Sequence, residues 1–184
     1  MKFARCFAVV MLLFSSSLML AQAAPSADDA KNPVTATIRR IFERQRNNLT
    51  ASAEEMPADK YSFKPTDPQE TFAHVIAHVV TSNAGFCERV ADGTAPAGLK
   101  DAKDSDGKEK LVAELKQSFD FCADALKKVD DSKLGDQVQG GGTNKVARAA
   151  VLIGMATGYA DHYAQAAIYL RLNGLLPPTA QPKK

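Results

Sequence analysis

The stretch Asp67-Pro68-Gln69-Glu70-Thr71-Phe72-Ala73-His74-Val75-Ile76-Ala77-His78-Val79-Val80 decides the fold. Asp67, Pro68 and Glu70 stand in the register of a helix cap, a first helical residue and a capping-box partner. Phe72, Val75, Ile76, Val79, Phe86 and Val90 then recur every three or four residues, which lines one face of a helix with apolar side chains. Gly93 and Pro96 end the run.

Three more segments read the same way. Asn32 and Pro33 open a helix that runs to about Glu55, with Val34, Ile38, Ile41, Phe42 and Leu49 as its stripe. Met56 to Thr66, with Pro57 and Pro65, reads as a surface loop. Leu111, Leu115, Phe119, Cys122, Leu126 and Val129 form the seam of a third helix, for which Asp106 and Glu109 supply a cap. Gly98 to Gly107 is too long and polar for a tight helical hairpin, so the second and third helices are expected to be joined by a crossover and need not be antiparallel. Gly140-Gly141-Gly142 breaks the chain before a fourth helix, from about Asn144 to Leu172, which Gly174 and Pro177-Pro178 stop. No β-strand is expected. These segments predict an all-α fold, a single four-helix bundle over residues 32–178.

The remainder falls outside the bundle. Residues 1–23 read as a secretory leader: Lys2 and Arg5, an apolar run from Phe7 to Leu20, then the small-x-small site Ala21-Gln22-Ala23. Residues 24–31 are expected to be a flexible mature N-terminus and 179–184 a C-terminal tail. The expected product is exported, periplasmic or extracellular, with no stable membrane span after cleavage. The 184 residues carry 23 Lys and Arg against 21 Asp and Glu, and loss of Lys2 and Arg5 leaves these charges balanced. Nothing in that balance supplies the concentrated basic surface that nucleic acid requires. Two cysteines remain, Cys87 and Cys122, and an even count in an exported chain permits a disulfide; two buried thiols is the alternative.

Only three histidines occur, His74, His78 and His162. The first two lie four residues apart and share a helix face, close enough for both imidazoles to reach one metal ion. Their neighbours Thr81, Ser82, Glu88 and Arg89 also suit an ordinary solvated edge. His162 stands in the apolar series Val151, Met155, Gly158, His162, Ala166, Tyr169. A buried imidazole needs a partner for each ring nitrogen, such as Gln165 or a tyrosine, or a metal in place of one. Motifs for phosphate loops, serine hydrolase elbows and Cys-x-x-Cys exchange are missing. Tyr61, Phe63, Tyr159, Tyr163 and Tyr169 suit either a pocket lining or ordinary packing, and the loop around Tyr61 and Phe63 could also carry a partner.

Three blocks carry a family resemblance: Pro57 to Thr66, Thr71 to His78, and Asp161-His162-Tyr163-Ala164-Gln165 through Gly174 to Pro178. In this order they resemble the DinB-like superfamily, particularly its exported bacterial members, over about Val34 to Pro178. The resemblance implies a DinB-type bundle whose second and fourth helices hold a divalent metal, zinc or nickel, in a cleft. His78 matches the family's ligand on the second helix, and His162 matches the second member of its His-x-x-x-His pair. The first member falls on Gly158, which has no ligating atom. His74 could swing into the gap and restore three nitrogens, or the site is degenerate, with glycine allowing close helix packing. Relatives include thiol transferases, isomerases and proteins described as metal-dependent hydrolases. Two functions are therefore in play: a binding or stress-associated module with a partly degenerate site, which Gly158 favours, and a metal-dependent hydrolase or transferase acting on a small molecule. A short bundle with exposed apolar edges also suits a homodimer.

Overall fold

The computed structural model describes residues 27–140 and 142–182, so the segment read as a leader lies outside it. Four long helices pack around one apolar core, confirming the all-α bundle: α2 (Pro33–Glu55), α3 (Phe72–Ala91), α4 (Lys108–Lys127) and α5 (Arg148–Leu172). A single-turn α1 (Ala27–Lys31) precedes them, inside the stretch expected to be flexible. No described helix is long and apolar enough to cross a membrane.

Cross-links between helices give their directions. Asn83 Nδ2 donates to Ser118 Oγ at 2.9 Å and, one turn further along both helices, Cys87 meets Cys122, so α3 and α4 run parallel. Arg46 pairs with Asp120 while Glu54 receives Lys116 at 2.5 Å, which makes α2 antiparallel to α4. Tyr169 packs on Phe72 and Tyr159 donates to Asn83, so α5 is antiparallel to α3. The order is up, down, down, up. The 92–107 connection is the crossover that the parallel pair requires, since parallel neighbours cannot be joined by a tight turn.

Helix starts differ from the sequence reading because distant groups satisfy the first backbone donors. Pro33 is the first residue of α2, but Asn32 does not cap it. Asp131 does: its carboxylate accepts from Val34 N at 3.0 Å and from Thr35 N and Thr35 Oγ1 at 2.8 Å each, while Asn32 Oδ1 accepts from Asp131 N. Helix α3 begins at Phe72, beyond the expected Asp67-Pro68. Thr71 Oγ1 accepts from His74 N, and the loop carbonyls of Phe63 and Tyr61 accept from Phe72 N and Ala73 N. The Asp106 carboxylate accepts from Lys103 N instead of capping α4, which starts behind Gly107.

A further difference lies at the glycine run. Gln137–Gln139 (β1) and Lys145–Ala147 (β2) pair antiparallel, with Val138 opposite Val146, so α5 starts at Arg148 and not near Asn144. Gly142 takes φ +64, and a Cβ on Gly140 would sit 3.0 Å from the Asn144 carbonyl. The run is thus a hairpin turn as well as a helix breaker. Buried Arg148 ties this hairpin to the end of α3 through the Val90 carbonyl and Asp92 Oδ2.

Candidate functional site

The α3–α5 seam carries an inner and an outer polar cluster. In the inner one, Tyr159 OH donates to Asn83 Oδ1 at 2.7 Å, Asn83 Nδ2 donates to Ser118 Oγ, and Ser118 Oγ donates to the Leu115 carbonyl at 2.8 Å. Beside it the sulfurs of Cys87 and Cys122 lie at disulfide distance, 1.90 Å, with Cα atoms 5.2 Å apart. Both cysteines are fully buried, and Met155 Sδ packs 3.9 Å from the Cys87 sulfur.

The outer cluster contains the three histidines. Because α3 and α5 are antiparallel, His78 and His162 come together edge to face, with ring centroids 4.9 Å apart and an interplanar angle of 68°. His74 stacks along the helix at 6.3 Å from His78, and its Nδ1 faces two carboxylates, Asp104 Oδ2 at 3.4 Å and Glu70 Oε2 at 3.7 Å. Exposed His78 meets Ser82 Oγ through Nε2 at 3.3 Å. His162 Nδ1 is buried with no hydrogen-bond partner. Burial lowers the proton affinity of His162 and neighbouring His78 lowers it further, outweighing Gln165 and Asp161, so its pKa lies below the ordinary imidazole value. A neutral imidazole with a free nitrogen lone pair is the form that ligates a metal or accepts a hydrogen bond.

A cavity of about 170 Å³ opens on this pair, lined by Glu70, His74, Val75, His78, His162 and Gln165. Gly158 lies on the other side of His162, in a hollow of about 20 Å³ with Ser82, Phe86 and Met155, room for roughly one water. His74 lines one cavity together with His78 and His162, whereas Gly158 lines the hollow beyond His162. Helix packing does not require the glycine, since a Cβ there would meet nothing within 4 Å. Among the described residues no three His, Cys, Asp or Glu side chains converge to hold a metal ion.

The aromatic residues pack. Tyr61 is buried, donates to the Ala53 carbonyl at 2.6 Å and stacks edge-on against Phe72, while Phe63 lies against Tyr169. Tyr61 is thus taken up in the core, and Phe63 is partly buried against it. Tyr169 OH donates to the Glu70 carbonyl and Tyr163 OH bonds Thr179, fastening the chain beyond Pro178 to α5. Asp104 reaches the site from the crossover, where nothing in its local sequence marks it.

The family model described as the DinB superfamily matches residues 41–166. This chain belongs to the DinB superfamily. The crystal structure of a DinB-like protein from Bacillus cereus ATCC 10987 superposes with a TM-score of 0.66 at 12% identity, covering 78% of this chain and 95% of that one. A DinB-like protein from Bacillus subtilis gives 0.62 at 22% identity, over 80% of this chain and 99% of that one. Both share the DinB fold. A search of curated proteins finds no match.

Proposed function

We propose that this DinB-superfamily chain is an exported binding module whose ligand is a small polar molecule received in the His78–His162 cleft. The observation that carries the reading is the unpartnered, buried Nδ1 of His162 beside His78, on a ring that lines a cavity with Glu70, His74 and Gln165. A buried polar atom left without a partner costs roughly 1–3 kcal/mol, a cost that a ligand supplying the missing bond would remove. The donor set is incomplete for a resident metal. Two imidazoles face each other, the third family position is Gly158, and a catalytic zinc takes three protein ligands. No metal-dependent step is therefore assigned.

A second reading, a divalent-metal-dependent hydrolase or transferase, draws on the same free nitrogen and on the presence of His74 in the same cavity. Isothermal titration with zinc and nickel separates the two. The module predicts weak binding, lost in His78→Ala and His162→Ala and strengthened at least tenfold in Gly158→His, where a Cβ would meet nothing within 4 Å. Stoichiometric zinc that survives dialysis of the wild-type protein would overturn the module in favour of the enzyme. Export agrees with a Cys87–Cys122 disulfide, since such bonds persist in oxidising compartments. N-terminal sequencing of protein produced with its leader is expected to begin at Ala24, and an intact Met1 would refute export with cleavage.

A further inference from the structure

Four contacts along the α3–α5 seam step together. Met155 meets Cys87, Tyr159 meets Asn83, His162 meets His78 and Tyr169 meets Phe72, so each move forward along α5 is matched by a similar move back along α3. A single offset between the two antiparallel helices produces all four. The histidine pair exists only at that offset. A slip of one turn, about 5.4 Å, would bring position 158 or 166 opposite His78, and these are Gly158 and Ala166, neither with a ring. A far smaller shift is enough to spoil the pair, since groups that bind together must be held to within about 0.5 Å.

Small side chains interlock weakly, and the two helices bury Ala73, Ala77 and Ala84 on α3 and Ala166 and Ala167 on α5. Polar ties are stricter. Among the described residues hydrogen bonds hold α5 to the α3 segment at three levels: Tyr169 OH to the Glu70 carbonyl at one end, Arg148 to the Val90 carbonyl at the other, and Tyr159 OH to Asn83 Oδ1 between them. The middle tie lies nearest the histidines. Along α5 it is three residues, about 4.5 Å, from His162, and along α3 five residues, about 7.5 Å, from His78. Tyr169 is seven residues from His162 and Arg148 fourteen.

The middle tie also has a fixed direction. Ser118 Oγ gives its proton to the Leu115 carbonyl, so from Asn83 it can only accept, and this turns Asn83 Nδ2 to Ser118 and Asn83 Oδ1 to Tyr159. The Asn83–Ser118 bond and the Cys87–Cys122 pair join α3 to α4 as one frame, and the Tyr159 hydroxyl is where α5 locks onto that frame. Asn83 and Ser118 are fully buried and Tyr159 nearly so, so a changed offset would strand a donor and an acceptor away from water. A lone buried asparagine fixes the register of coiled-coil helices in the same way. We infer that the Asn83–Tyr159 hydrogen bond is the register pin that sets His162 against His78. Asn83 and Tyr159 are thus positioning residues for the cleft, a role that rests on the binding reading given above.

The chain's three histidines all line the cleft, so their ring protons report on it directly in NMR spectra. Wild-type protein is expected to show a nuclear Overhauser effect between the His78 and His162 rings. In Tyr159→Phe the ring keeps its packing on Phe42 and Phe119, so the variant is expected to fold, yet to lose most of that effect and to bind zinc about tenfold more weakly. The deciding variant combines Asn83→Leu with Tyr159→Phe. It strands no buried donor or acceptor, and Ser118 keeps its bond to Leu115, so stability to urea is expected to return toward wild type. The ring contact and the zinc affinity are not expected to return with it, which separates positioning from a purely structural role. Recovery of the ring contact together with stability, a wild-type ring contact in Tyr159→Phe, or no ring contact in the wild type would overturn the pin. The ring contact is read without zinc. A wild type that shows it and takes up no zinc sinks the binding reading alone, and its loss in both variants still upholds the pin.

Discussion

The two polar clusters on the α3–α5 seam lie about one helical turn apart and are finished differently. Around Asn83, each polar side-chain group has its bond: Tyr159 gives to Asn83, Asn83 to Ser118, Ser118 to a carbonyl, with the cysteine pair packed alongside. Around His162, a ring nitrogen is buried without a partner and the adjacent space is open. Buried polar groups that are fully paired hold a core in one arrangement, whereas an unpaired one opposes folding. The inner cluster is thus read as structure and the outer one as a place kept for something that binds.

Breaking the inner cluster is expected to cost most. Replacing Cys87 and Cys122 with alanine opens a loop spanning 35 residues and should lower stability by about 4 kcal/mol in the chain-entropy model, read from urea unfolding. Tyr159→Phe leaves Asn83 Oδ1 unpaired in a dry environment and should cost about 1–3 kcal/mol. The outer cluster should behave in the opposite way. His162→Phe removes an unpaired nitrogen, so the same measurement should fall within about 1 kcal/mol of wild type while zinc binding disappears. A loss as large as that of Tyr159→Phe would erase the distinction between the clusters.

The smallest effect concerns a paired group at the surface. Desolvation works against ionisation of Asp131, but hydrogen bonds from Thr35 and Val34 and the charge of Arg39 prevail and hold its carboxyl below the usual range. A depressed folded-state pKa stabilises above the unfolded value, about 3.9, and that contribution is lost as pH falls through the folded value. Asp131→Asn should therefore lower the Tm at pH 7 and have progressively less effect below about pH 4. An equal Tm difference at pH 7 and pH 3 would exclude the carboxylate as the cap.

Much of the helical framework was legible because apolar spacing reports directly on which face a helix buries. Phe72, Val75, Ile76 and Val79 are all buried, as are Leu111, Leu115, Phe119 and Cys122. Helix starts were less legible, since a cap need not be local: Asp131 reaches α2 from 96 residues away, and the Phe63 and Tyr61 carbonyls accept from the first donors of α3. The hairpin at Gly140 and Gly142 was hidden for another reason. Three-residue strands are too short to show an alternating pattern.

At the site, the sequence determined that His162 stands in an apolar series and that position 158 offers no ligand, while His78 suited a solvated edge equally well and its pairing with His162 was implied only by the family resemblance. Only the tertiary structure decided that His78 and His162 meet, that His74 shares their cavity while Gly158 lines a separate hollow, that Asp104 comes within 3.4 Å of His74, and that the glycine is not needed for packing. The reason is physical: periodicity along one helix specifies direction about its own axis. The offset between two helices is set by how their side chains interdigitate, which no single segment contains.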